Sequence, residues 1–139
     1  MRNRLNENFL DCYLAVDKAC SDKFGVGSGG VTEYINRLNN ARFAPNRDEV
    51  LPRLVKYRNI RNKFAHEVGS MRKCDDLAKE DVKWLRKFSK DLTKRRDPLS
   101  VYLRRARRYA RRRRARKAIF FAMLILLIIA AVVLYFVLR

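Results

Sequence analysis

Residues 51–66 read LPRLVKYRNIRNKFAH. Leu51, Leu54, Tyr57, Ile60 and Phe64 recur at spacings of three and four, the period that gathers apolar side chains on one face of an α-helix. The spacing predicts a helix that starts near Asp48 and is ended by Gly69 and Ser70. Pro52 then falls in its first turn, where a missing N–H costs little.

Working outward, the same period recurs on both sides. Upstream, Val31, Ile35 and Leu38 predict a helix over 31–41, followed by a loop over 42–47. Before it, Leu5, Phe9, Cys12, Val16 and Cys20 predict a helix over 3–23, with Tyr13 and Leu14 widening its stripe. The run GVGSGG at 25–30 separates these two helices. A phosphate-cradling glycine loop needs a Lys-Ser/Thr pair or a preceding strand, and neither is here, so the run reads as a linker. Downstream, Val82, Leu85, Phe88 and Leu92 predict a helix beginning between Asp75 and Glu80, with Trp84 at its flank. Asp97-Pro98 reads as a cap and first helical position. No segment alternates with period two. The fold class is therefore all-α: a four-helix bundle, then a long basic helix, then one transmembrane helix. Phe9, Val16, Ile35, Leu54, Ile60, Phe64, Leu85 and Phe88 are the expected core.

From Ala118 to Leu138 the chain reads AIFFAMLILLIIAAVVLYFVL, without a charge, glycine or proline. At about 1.5 Å per residue this run spans roughly 31 Å, close to the ~30 Å hydrocarbon core of a bilayer. The start of the chain, MRNRLNENFLDCY, lacks the apolar core of a signal peptide. The expectation is a tail anchor, with residues 1–97 as the domain, 98–117 as a juxtamembrane segment and 118–138 as the spanning helix.

The juxtamembrane segment is strongly basic. Arg104, Arg105, Arg107, Arg108, Arg111, Arg112, Arg113, Arg114, Arg116 and Lys117 occur without one acid, against Arg139 alone on the far side. Basic residues beside a span are retained in the cytoplasm, which predicts a single pass with the N-terminal domain cytoplasmic. They also attract anionic lipid headgroups, at about 1 kcal/mol per residue near the surface. A nucleic-acid patch is the rival reading of such a run, and RNA is attracted to any part that lipid leaves free.

The net charge is +19, of which residues 1–97 carry +8. The domain is thus basic in its own right, which fits either affinity for polyanions or a solvated surface. Cys12, Cys20 and Cys74 form no Cys-x-x-Cys pair, and His66 is the single histidine. Neither a metal site, nor a cofactor, nor a disulfide is expected. Cys12 and Cys20 are expected to pack as small apolar side chains.

The densest set of chemistry-bearing residues is Arg58-Asn59-Ile60-Arg61-Asn62-Lys63-Phe64-Ala65-His66-Glu67. Arg61 and His66, five residues apart, lie about 140° apart around an ideal helix. Arg61 falls near the apolar face, where a charge is costly unless paired or lining a cleft. His66 falls toward the edge of that face. The residues alone admit a structural account, with Arg61 paired to an acid such as Asp11 and His66 at the helix C-terminus.

The stretch Arg61-Asn62-Lys63-Phe64-Ala65-His66 resembles the Arg-x4-His signature of the HEPN superfamily, including the Asn directly after the Arg. Its place at the end of the third helix is similar too, and the resemblance covers about residues 3–97. It implies a homodimer in which two copies of the motif face each other. It further implies a metal-independent endoribonuclease of bacterial defence or stress responses, or a catalytically inactive interaction module that brings a protein partner or RNA to the membrane. Arg61, His66 and Asn62 are then the candidate catalytic residues, and Lys63 and Arg58 the candidate RNA-binding ones. Cleavage through the 2′-OH needs a base, an acid and a cation on the phosphorane. Histidine transfers protons near neutral pH. With one histidine per chain, a two-histidine mechanism requires two chains. Arg61 would fork onto phosphate oxygens.

Overall fold

The computed structural model describes residues 2–138. The described residues form helices and no strand: α1 (Arg2–Phe24), α2 (Gly30–Asn40), α3 (Arg47–His66), α4 (Ser70–Lys73), α5 (Lys79–Thr93) and α6 (Pro98–Leu138). They divide into one compact unit, Met1–Tyr102, and a second, Leu103–Arg139. The first unit therefore runs past the expected boundary at 97 and takes in the first turn of α6.

Within the first unit α1 is the central helix, packing mainly on α5 and α2 and also touching α3 and α4. Of the expected core, Phe9, Val16, Ile35, Leu54, Ile60, Leu85 and Phe88 are buried, while Phe64 is partly buried against them. Leu14 is exposed, so the apolar stripe of α1 is narrower than its sequence suggested. Tyr34 and Tyr57 are the largest fully buried side chains. A continuous file of rings crosses the interior. Phe64 meets Phe9 edge-on at 6.2 Å, Phe9 meets Tyr57 at 5.6 Å, and Tyr57 meets Trp84 at 5.6 Å. Trp84 stacks on Phe88 at 5.0 Å, and Phe88 meets Tyr34 at 5.4 Å. Edge-to-face and stacked pairs at such distances add to simple area burial.

The glycine-rich linker has a packing role at its end. A Cβ on Gly30 would lie 2.2 Å from the Asp17 carbonyl oxygen and 2.3 Å from the Ser21 nitrogen, so only glycine lets α2 begin this close to α1. The approach puts the Asp17 carboxylate over the start of α2, where Oδ1 accepts the Val31 N–H at 2.8 Å. A carboxylate there satisfies a free donor and complements the helix dipole.

α3 starts at Arg47, after Asn46 in the left-handed region (φ 54°). Pro52 consequently sits in the second turn and leaves the Asp48 carbonyl without its usual donor; both residues are exposed. α3 closes at His66 with Glu67 as C-cap, before Gly69, and the short α4 follows. Asn6 of α1, almost wholly buried, holds this segment, donating from Nδ2 to the Met71 and Cys74 carbonyls at 2.7 and 3.2 Å. α5 is started by Asp81, whose Oδ2 accepts the Ala78 N–H at 2.8 Å while Oδ1 accepts the Tyr57 hydroxyl at 2.7 Å.

α6 begins as the Asp97-Pro98 pair predicts. Asp97 Oδ2 accepts the Ser100 N–H at 3.1 Å and the Tyr34 hydroxyl at 3.0 Å. Lys23 donates to both carboxylate oxygens and to Ser100 Oγ. Leu99 and Ser100 are buried with the fully buried Asp97. In the second unit α6 is continuous and its described side chains are exposed. An 18-residue window there reaches a mean hydropathy of 3.1 with none of it buried, so this helix is long and apolar enough to cross a membrane.

Candidate functional site

The Arg-x4-His segment occupies the last turns of α3. Its end is fixed from outside the helix: the Glu67 N–H and the Ser70 hydroxyl both donate to the Lys63 carbonyl at 2.9 Å. The Lys63 carbonyl thus receives two donors at the point where the helix ends.

Arg61 is half-buried at the rim of the apolar face. Its Nη1 donates to Asn62 Oδ1 at 3.3 Å, so Asn62 meets Arg61. Among the described residues no ion pair joins Arg61 to Asp11, which is exposed. The Arg61 charge is felt by Tyr13 of α1. Burial chiefly, and then Asp17, push the Tyr13 phenol up to about 12, while the positive charges of Arg61 and Arg58 pull it back.

His66 is exposed, and the helical repeat sets it roughly opposite the core face of α3, beyond the edge expected for it. Arg58, Asn62 and His66 follow one another at intervals of four and so form one stripe, with Arg58 half-buried and the other two exposed. Lys63 is exposed on the other flank. There it borders two shallow depressions. One, of about 530 Å³, lies against Lys56, Asn59 and Asp76; the other, of about 350 Å³, lies against Lys73, Cys74 and Asp76. Neither is lined by Arg61, Asn62 or His66. One chain brings Arg61 to Asn62 and sets Asn62 beside His66 on one stripe, while Arg61 and His66 stay about 140° apart and Lys63 lies on the other flank.

Arg104, Arg105, Arg107, Arg108, Arg111, Arg112, Arg113, Arg114, Arg116 and Lys117 are all exposed along α6. The three cysteines carry no disulfide: Cys20 is buried and Cys12 and Cys74 are half-buried. Burial pushes the Cys20 thiol up to about 12, as suits a cysteine that packs as an apolar side chain.

Two polar positions of structural consequence escaped the sequence reading, although both carry a signal. Asn6 precedes Phe9 and Tyr13 by three and seven, and Lys23 follows Cys20 by three, so each continues an apolar stripe. Polar side chains on a buried stripe must find partners.

By sequence the chain belongs to a family of unknown function (DUF6548), which it matches over residues 7–118. The match takes in the helical domain and the basic segment. No curated protein and no solved structure matches the chain.

Proposed function

We propose that this chain is a membrane-tethered, HEPN-type, metal-independent endoribonuclease that works as a homodimer on the cytoplasmic face of a bacterial membrane, in defence or stress responses. The observation that carries the reading is the exposure of Asn62 and His66 at the end of α3, with Arg61 at the rim beside them. Asn62 and His66 are exposed and Arg61 is half-exposed, so a second copy can bring its own motif opposite. Two His66 side chains then share the proton transfers. One takes the proton of the RNA 2′-OH, the other gives a proton to the departing 5′-oxygen, and Arg61 and Asn62 hold the phosphate. Arg58 and Lys63 extend the positive surface toward the strand. The ten cations before Ala118 favour retention of the domain on the cytoplasmic side and contact with anionic lipid.

The test uses full-length protein in lipid nanodiscs with single-stranded RNA. The expected products carry 2′,3′-cyclic phosphate and 5′-hydroxyl ends, form in the presence of a chelator, and vanish with His66→Ala at unchanged helicity. A second reading, a catalytically inactive binding module at the membrane, is favoured by one observation: among the described residues the depressions beside the motif are lined by Lys63 and its neighbours and not by Arg61, Asn62 or His66. A dimer that leaves RNA intact, with His66→Ala altering stability alone, selects that module.

A further inference from the structure

The ten basic residues before the span do not form one surface. α6 is unbroken from Pro98 to Leu138. At about 100° per residue, Arg104, Arg105, Arg107, Arg108, Arg111 and Arg112 fall within an arc of roughly 160°. Leu103, Ala106, Tyr109 and Ala110 lie outside that arc. Arg113, Arg114, Arg116 and Lys117 occupy a second arc of similar width, centred about 180° from the first. A shallow surface on this second side is lined by Tyr109, Ala110, Arg113, Arg114 and Lys117. The charge therefore changes face between Arg112 and Arg113.

The two groups also differ in height. Counted from Ala118, residues 113–117 lie within about 8 Å along the axis, which matches the ~5–8 Å headgroup layer on each side of a bilayer. Arg108 lies about 15 Å and Arg104 about 21 Å along the axis from Ala118. An average tilt of about 20° shortens these heights by less than a tenth. Past the headgroups, the lipid field decays over a Debye length of about 8 Å. Lipid phosphate thus meets the proximal four cations first; Arg111 and Arg112, about 9–11 Å from Ala118, stand at the border of the headgroups, and Arg104, Arg105, Arg107 and Arg108 stand clear of them. Carrying six exposed like charges on one face is unfavourable without a counter-charge.

We propose that the distal face, Arg104 to Arg112, binds the phosphate backbone of base-paired RNA, separately from the lipid-facing group at Arg113 to Lys117. All six residues are arginine, whose fork matches phosphate oxygens. Six charges over about 12 Å of helix axis is one per ~2 Å, of the same order as the one per ~1.7 Å of double-stranded DNA. Among 98–117 there is no acid to weaken the match. The choice of RNA rests on the proposed cytoplasmic ribonuclease; the geometry of the face does not.

The experiment measures binding of an RNA duplex of about 16 base pairs to full-length protein in nanodiscs, over a range of salt, in a His66→Ala background so that nothing is cleaved. One variant carries glutamine at the six distal positions, the other at the four proximal ones; glutamine preserves helix propensity. The distal variant is expected to lose at least about tenfold in affinity and to flatten the salt dependence by up to about five log units per log unit of salt. The proximal variant is expected to bind RNA within about threefold of the parent. Equal losses in both variants, or an unchanged distal variant, overturns the proposal. So does complete loss of RNA binding on replacing zwitterionic with anionic nanodisc lipid, because lipid then covers the face. Displacement of RNA by polyglutamate at equal charge shows a site for acidic protein instead, and tighter binding of a DNA duplex of the same length overturns the choice of RNA. Cleavage is scored apart from this, with His66 intact. Duplex bound through the distal face while single-stranded RNA is never cut defeats the ribonuclease reading alone, and single-stranded RNA cut by a chain whose distal variant still binds the duplex defeats this inference alone.

Discussion

Lys23 Nζ lies 2.8 Å from Asp97 Oδ2 and 2.9 Å from Oδ1, joining the end of α1 to the start of α6 across a fully buried carboxylate. The pair is asymmetric, since the lysine side chain retains a fifth of its exposure and the aspartate none. Lys23→Ala leaves the Asp97 charge buried without its cation, and a loss of about 3–5 kcal/mol is expected. Asp97→Asn keeps an acceptor for Ser100 and Tyr34 and lets Lys23 reach water, so its cost is expected to be smaller. Urea unfolding of the two variants in detergent checks the order; a costlier Asp97→Asn would contradict it.

Gly30 and Gly27 belong to one linker and are expected to respond in opposite ways to the same substitution. Gly30→Ala drives a methyl into the α1 backbone at Asp17 and Ser21, and a loss of at least about 1–3 kcal/mol follows. Gly27 has nothing within 4 Å of its added Cβ, so Gly27→Ala is expected to be neutral or to stabilise by up to about 1 kcal/mol. Thermal melts of both variants decide.

The domain should weaken in alkali. Tyr13 and Cys20 are held neutral by burial, with values pushed from 10.0 and 9.0 to about 12. The unfolded chain loses these protons first. The stability they contribute is therefore complete below about pH 9 and declines as pH rises toward 12. Denaturant midpoints at pH 8, 10 and 11 are expected to fall in that order. At pH 9 a thiol reagent should label half-buried Cys12 and Cys74 well before Cys20.

In the proposed homodimer, where two His66 side chains share one cleft, an inactive subunit would poison its partner. Random mixing of wild-type and His66→Ala chains in equal amounts leaves about one quarter of the dimers wholly wild type. Residual cleavage near one quarter is expected; a value near one half would mean that each chain cleaves by itself.

Detaching the domain depends on where the chain is cut. A chain ending after Tyr102 retains Leu99 and Ser100, both buried, and is expected to be soluble and folded. One ending at 97 lacks them, leaves Tyr34 without its Leu99 partner, and is expected to be less stable or to aggregate. Fractionation and circular dichroism of the two truncations separate these outcomes.

The helices were legible because each carries its own apolar period: Val31, Ile35 and Leu38, or Val82, Leu85, Phe88 and Leu92, need no knowledge of a partner. What stayed hidden depends on distant residues. Asp97 reads locally as a cap, but its burial under Lys23 joins positions 74 apart. Asn6 serves carbonyls at 71 and 74. α4 is too short to display a period. For the candidate site, the position of the motif at the end of α3 followed from spacing. That Asp11 is left on the exterior, without an ion pair to Arg61, depends on how α1 and α3 are rotated against each other, and that is set by Phe9, Tyr57 and the rings behind them.

A tether is only as strong as its root. Tension applied along α6 would reach the domain through Asp97, and Asp97 is gripped by α1 through Lys23 and by α2 through Tyr34. The load is therefore shared by the interior of the bundle, and the chain end cannot simply peel away. If α6 crosses a membrane as proposed, any pull on it is carried by α1 and α2 together.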